Sequence, residues 1–124
     1  MEEDGIRRRF IIEYRTIPIG EMNYRMVAPG TAEIGIDICN ATYQERGLGR
    51  IALSLFFSEL FEKHGFNRII LDTNLKNERA QHVYESLGFK RIRTRPNAFL
   101  NQDNVWQTAI DYALEKENFI SFIP

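Results

Sequence analysis

One cysteine, Cys39, in 124 residues rules out an internal disulfide, and with it the small secreted scaffolds that disulfides hold together. No apolar run approaches the ~20 residues needed to span a bilayer, so no membrane helix is expected. An excess of charge is missing too. Sixteen Lys and Arg stand against 17 Asp and Glu, for a net charge of −1. That balance argues against bulk attraction to nucleic acid or to a membrane surface. The two histidines, His64 and His82, lie far from Cys39 and from any acidic cluster, so no metal site is expected. Met1-Glu2-Glu3-Asp4 lacks the basic-then-apolar layout of a signal peptide. These absences read as a single cytoplasmic domain over residues 1–124, with no linker, repeat or low-complexity tract.

What is present is patterned apolar sequence, 44% hydrophobic overall. Alternation over 9–15, 17–27 and 32–39 predicts three strands, with Gly20 at a bulge or close approach and Ala28-Pro29-Gly30 turning the second strand back onto the third. Helical spacing predicts a helix over 47–64 that stops at Gly65. The run 67–72 reads as a buried strand. Ala80, Val83, Tyr84 and Leu87 mark a second helix, opened by Lys76-Asn77 and ended by Gly88. Strands over 89–94 and 105–114, joined by a loop over 96–104, complete the chain. The order β-β-β-α-β-α-β-β implies an α/β (α+β) fold with a mixed sheet flanked by helices.

The stretch Gln44-Glu45-Arg46-Gly47-Leu48-Gly49-Arg50 joins the third strand to the first helix. A strand that leads through a glycine-bearing turn into a helix start presents free backbone N–H groups and the positive end of a helix dipole, a natural seat for a pyrophosphate. Gly47 and Gly49 remove side chains where such a ligand approaches. Gly47 to Ala52 also fits G-x-G-x-x-A, with Asp72 about twenty residues on, as in dinucleotide-binding folds. Seven residues separate that first glycine from the strand end, however, and several strands precede it. A phosphate loop of the Gly-Lys-Ser/Thr type is absent.

Gln44, Gly47 and Gly49 match a Gln/Arg-x-x-Gly-x-Gly/Ala turn. Asn77 and Ala80 match Asn-x-x-Ala, and Tyr84, Gly88 and Phe89 match Tyr-x-x-x-Gly-Phe. In this order and spacing, over about residues 10–119, the chain resembles the GNAT superfamily of acetyl-CoA-dependent N-acetyltransferases. The resemblance implies a GNAT-like, mostly antiparallel sheet and direct acetyl transfer from acetyl-CoA to a primary amine, small-molecule or peptide, without a metal. It also implies cofactor contacts from Ile38, Gln44, Glu45, Arg46, Gly47, Leu48, Gly49, Arg50, Asn74, Asn77 and Tyr84. Glu33 would be the general base and Tyr84 the general acid to the CoA thiolate, with Asp37 a second candidate base.

Each of these residues has a plainer reading beside it. Glu33 serves equally as an exposed strand carboxylate, Tyr84 as a core residue of the second helix, and Asn77 as that helix's N-cap. Arg91, Arg93 and Arg95 alternate as one solvated face, and Cys39 reads as buried. The family's usual N-terminal strand and helices, which wall the acceptor pocket, have no counterpart here. A non-catalytic acetyl-CoA-binding or interaction domain is therefore the alternative function, and a homodimer is expected, with the apolar tail 119–124 covering the neighbouring subunit.

Overall fold

Apolar residues repeat every second position in the strands and every third or fourth in the helices, and the chain folds accordingly. The computed structural model describes residues 8–14, 17–38 and 48–123. In chain order these form β1 (Arg8–Tyr14), β2 (Ile17–Ala28), β3 (Thr31–Ile38), α1 (Leu48–Glu62), β4 (Arg68–Asn74), α2 (Glu78–Ser86), β5 (Lys90–Leu100) and β6 (Trp106–Glu115), then a 3-10 turn at Lys116–Asn118. The strands make one sheet in the order β1-β2-β3-β4-β6-β5. Every neighbouring pair is antiparallel except β3 with β4, where α1 lies in the crossover that a parallel pair requires.

Cross-strand register sorts the side chains into two faces. Tyr24 lies opposite Ile34, Ala32 opposite Ile69, and Leu71 opposite Tyr112. All six are buried, and with Met22, Met26, Ile110 and Leu114 they form the sheet's side of the core. Leu53, Phe56, Phe57, Leu60 and Phe61 of α1 supply the other side. Each such burial contributes about 1.5–3 kcal/mol. Tyr24 meets Phe56 of α1, and Tyr112 meets Tyr84 of α2, so both helices cover the same face. None of the described helices is long and apolar enough to cross a membrane.

Gly65 terminates α1 as expected, with φ +74° and Phe66 N–H donating back to the Leu60 carbonyl. The bulge expected around Gly20 falls beside it. Ile12 pairs with Gly20 but Glu13 with Pro18, which leaves residue 19 extra.

One expectation needs correction. The loop placed over 96–104 begins as strand, because β5 runs on to Leu100. It does so irregularly, since Arg95 pairs with Ala109 while the next pair is Phe99 with Gln107, with Asn97 at φ 52°. Pro96 is tolerated there because β5 is the sheet edge and owes no outward N–H to a neighbour. The chain reverses over 101–105, where Asn101 Oδ1 accepts from the N–H groups of Asp103 and Val105.

The apolar tail meets its own chain in part, leaving the side chains of Ile120, Phe122 and Ile123 exposed. Phe119 packs on Phe57 and Phe61, Ile120 N–H donates to the Leu87 carbonyl, and Phe122 N–H donates to Ser54 Oγ at 2.9 Å.

Candidate active site

The sheet opens at its middle. β3 and β4 are in register from Thr31–Arg68 to Glu33–Ile70 and no further. β3 nevertheless continues along β2 to Ile38, and β4 along β6 to Asn74. Two strand edges therefore diverge inside the sheet, and each exposes backbone groups that a sheet normally pairs. An extended ligand carrying amide groups fits such a gap by supplying the missing partners. α1 is the next described element after β3, and its first turn holds no acidic residue.

A cleft of about 380 Å³ opens near the point where pairing stops, lined by Glu33, Gly35, Ile70, Asp72, Ile92, Arg93, Arg95 and Asp111 among others. Register places Glu33 with Arg25 and Ile70, and Asp72 with Asp111, on the face turned away from both helices. Glu33 is joined to Arg25 through Nε–Oε1 at 3.1 Å. Asp72 and Asp111 stand directly opposite one another, an arrangement that repels unless cations intervene. Arg95 resolves it. Its Nη2 donates to Asp72 Oδ2 at 2.9 Å and to Asp111 Oδ1 at 2.8 Å, while its Nε donates to Asp111 Oδ2 at 2.8 Å. Arg93 Nε adds a further 2.8 Å bond to Asp111. The Arg95 hydrogen bond, helped by Arg93 and opposed by partial burial, holds the Asp111 carboxyl below its ordinary value.

The three arginines do not share one solvated face as the alternation predicts. Arg91 pairs with Tyr112 and Arg93 with Asp111, so Ile92 is an extra residue and the strand's faces exchange there. Arg91 consequently reaches Gln81 of α2 at 3.2 Å, while Arg93 and Arg95 reach Asp111 on the opposite face.

Tyr84 sits on α2 against Phe89 and Tyr112 at ring-centroid distances of 5.7 and 6.0 Å. No hydrogen bond among the described residues engages its hydroxyl. Burial, and then the negative charge of Asp72, push its phenol up to about 12. Asn77 is the N-cap of α2, its Oδ1 accepting from Ala80 N–H at 3.1 Å. That cap engages the carbonyl end of the amide only. Asn74 has a structural task at both ends, donating to Gln107 Oε1 and accepting from Lys76 N–H, each at 3.0 Å. The Arg50 guanidinium lies over the Phe122 ring, 5.4 Å from its centroid. Ile38, Leu48 and Gly49 close β3 and open α1, with Asp37 next to the strand end. The expectations for Cys39, Gln44, Glu45, Arg46 and Gly47 fall outside the described residues.

The opening between β3 and β4 and the Asp72–Arg95–Asp111 network were not foreseen. A single acid inside the apolar run Ala109-Ile110-Asp111-Tyr112-Ala113 was the available signal for the network, since a buried strand carries a carboxylate only where a cation meets it. The dinucleotide alternative does not survive. The sheet is mostly antiparallel, and Asp72 is bound to Arg95 on the face away from α1.

The sheet is thus mixed and parted between two parallel strands, with both helices on one face and a charged cleft on the other. The profile of the acetyltransferase (GNAT) domain matches residues 1–90, and the chain belongs to the GNAT family. Among curated relatives, the ribosomal protein bS18-alanine N-acetyltransferase of Escherichia coli K12 is 39% identical over 61 residues, 49% of this chain and 40% of that protein. The Shigella flexneri protein of the same name gives the same figures. The match spans about 40% of the length of these curated relatives. Among solved structures, a chimera of the spermidine N-acetyltransferase SpeG from Vibrio cholerae and hSSAT superposes with a TM-score of 0.82 at 22% identity, over 92% of this chain and 72% of the other. The spermidine/spermine N-acetyltransferase SpeG from Vibrio cholerae, in complex with manganese ions, gives a TM-score of 0.81 at 22% identity, over 92% of this chain and 68% of that one. At that identity the likeness is one of fold.

Proposed function

We propose that this chain transfers an acetyl group from acetyl-CoA directly to a primary amine. The observation that carries this reading is the parting of β3 and β4 beyond the Glu33–Ile70 pair. The pantetheine arm is an extended chain with two amides, which suits two unpaired strand edges. Its pyrophosphate then falls to the N–H groups at the α1 N-terminus. Arg50, in the first turn where a helix disfavours a cation, adds positive charge for the phosphates.

The reaction then runs through the opening. Glu33, on the cleft face, removes a proton from the amine through water. The amine nitrogen attacks the thioester carbonyl, whose oxygen accepts from backbone N–H groups of the parted strands. Tyr84, on the helix face, donates a hydrogen bond to the departing sulfur. Relatives named for a ribosomal-protein alanine and for spermidine favour an amine acceptor without choosing which. We further propose that the chain forms a homodimer, favoured by the exposed apolar side chains Leu100, Val105 and Trp106 at the β5–β6 turn.

Thermal-shift titration combined with thiol release tests the main reading. Acetyl-CoA raises the melting temperature, NADH does not, and free CoA appears only when an amine is added. Gly49→Asp, which sets a carboxylate against the pyrophosphate, abolishes the acetyl-CoA shift. Stabilisation by NADH alone overturns the reading, and binding without amine-dependent thiol release reduces the chain to an acetyl-CoA-binding domain.

A further inference from the structure

The cleft on the helix-free face is balanced in charge, and that balance bears on what enters it. Three carboxylates line it, and each is already met by a guanidinium: Glu33 by Arg25, Asp72 by Arg95, and Asp111 by Arg93 and Arg95. Among the described lining residues no acid is left without a cation. A polyamine seeks the reverse, several carboxylates with no partner, because each of its ammonium groups loses hydration on entering.

The arginines are not equivalent. Arg95 is spread across two carboxylates through Nε and Nη2. Arg93 donates to Asp111 through Nε alone, and its side chain is 66% exposed against 12% for Asp111. Its two terminal nitrogens therefore lie at the cleft with donors to offer, in the planar fork that suits a carboxylate. The bond through Nε fixes the fork's orientation in advance, which lowers the entropy lost when an anion docks. Glu33 lies on the same face, across the parted strands.

We propose that the acceptor is a primary amine bearing a carboxylate a few bonds away, its anion held by Arg93 while its nitrogen faces Glu33. This rests on the acetyl-transfer reading and adds a substrate class to it. Free amino acids and acidic peptide N-termini share that chemistry, and the test separates them.

Acetylation by the full chain is measured on L-aspartate, a tetrapeptide with an acidic second residue, the same peptide with that residue amidated, and spermidine. One of the two acidic acceptors is used with the highest kcat/KM, and which of the two identifies the source. Arg93→Gln raises the KM of that acceptor about tenfold while the KM for acetyl-CoA holds, the scale of one partly exposed charge-assisted pair. Arg93→Lys recovers part of the loss, and Arg93→Glu turns the preference towards spermidine. If spermidine is the best acceptor of the unaltered chain, or Arg93→Gln leaves the acidic acceptor's KM unmoved, the inference falls while acetyl transfer stands. If no amine is acetylated, both fall.

Discussion

Tyr84 belongs to the core by its ring and, in the function proposed above, to the chemistry by its oxygen. A phenol held at about 12 stays protonated throughout the working range. Against a thiol of ordinary pKa, about 8.5, full proton transfer from it is uphill. Its contribution is therefore a hydrogen bond to developing thiolate charge. Tyr84→Phe keeps the ring contacts with Phe89 and Tyr112 and removes only that donor. We expect kcat to fall about 10- to 100-fold with the pH profile unchanged in shape below pH 10. Steady-state kinetics across pH decides this, and unaltered turnover assigns Tyr84 to packing alone. Stability has its own pH sign. The folded value lies above the ordinary phenol value of 10.0, so the neutral form is favoured on folding; the contribution is full below pH 10 and is lost as pH rises towards 12.

At the scale of elements, the Tyr-x-x-x-Gly-Phe motif acquires a physical cause. Gly88 has φ +104°, and a Cβ there would run into the carbonyl oxygen of Asn118 in the closing 3-10 turn. The glycine thus ends α2 and also admits the return of the C-terminal segment. Gly88→Ala costs about 1–3 kcal/mol for the backbone conformation alone, before the overlap is relieved. Urea unfolding should show a lower midpoint, and an unchanged one refutes the account. Element order was legible in the sequence because the apolar periods are long and the breaks at Gly30, Gly65 and Gly88 are sharp. The course of β5 was not. A proline normally argues against strand, and nothing in the sequence says that Pro96 falls on an edge. The extra residue at Ile92 was equally hidden, because the alternation Arg91, Arg93, Arg95 looks the same with or without an exchange of faces.

At the scale of the whole molecule, the tail has contacts on its own chain. It was expected to cover a partner because the sequence offers Phe119, Ile120, Phe122 and Ile123 no visible site. Phe119 packs on Phe57 and Phe61 of α1, while the side chains of Ile120, Phe122 and Ile123 remain exposed. Truncation after Asn118 therefore removes packing from the chain's own core. The expected result is a melting temperature lower by roughly 5–15 °C, with the dimer kept. Trp106→Asp, at the exposed β5–β6 turn, is expected to give a monomer that melts normally. Sedimentation and calorimetry on both variants check this, and a monomer produced by truncation alone restores the tail as the interface. The Gln44–Arg50 turn stands out in the sequence as a motif because its glycines precede a helix start. The cleft does not, since its members come from β3, β4, β5 and β6 and meet only through register.

The ladder joining β3 to β4 has three register pairs, whereas β4 to β6 has seven. Within the sheet, β1-β2-β3 and β4-β6-β5 form two panels joined at one corner by a short ladder, with one core beneath both. The softest deformation of such an object changes the angle between its panels, and that angle is the width of the slot. A bound molecule that bridges the slot works as a brace, so its grip depends on residues that set the rest angle between the panels as well as on those it touches.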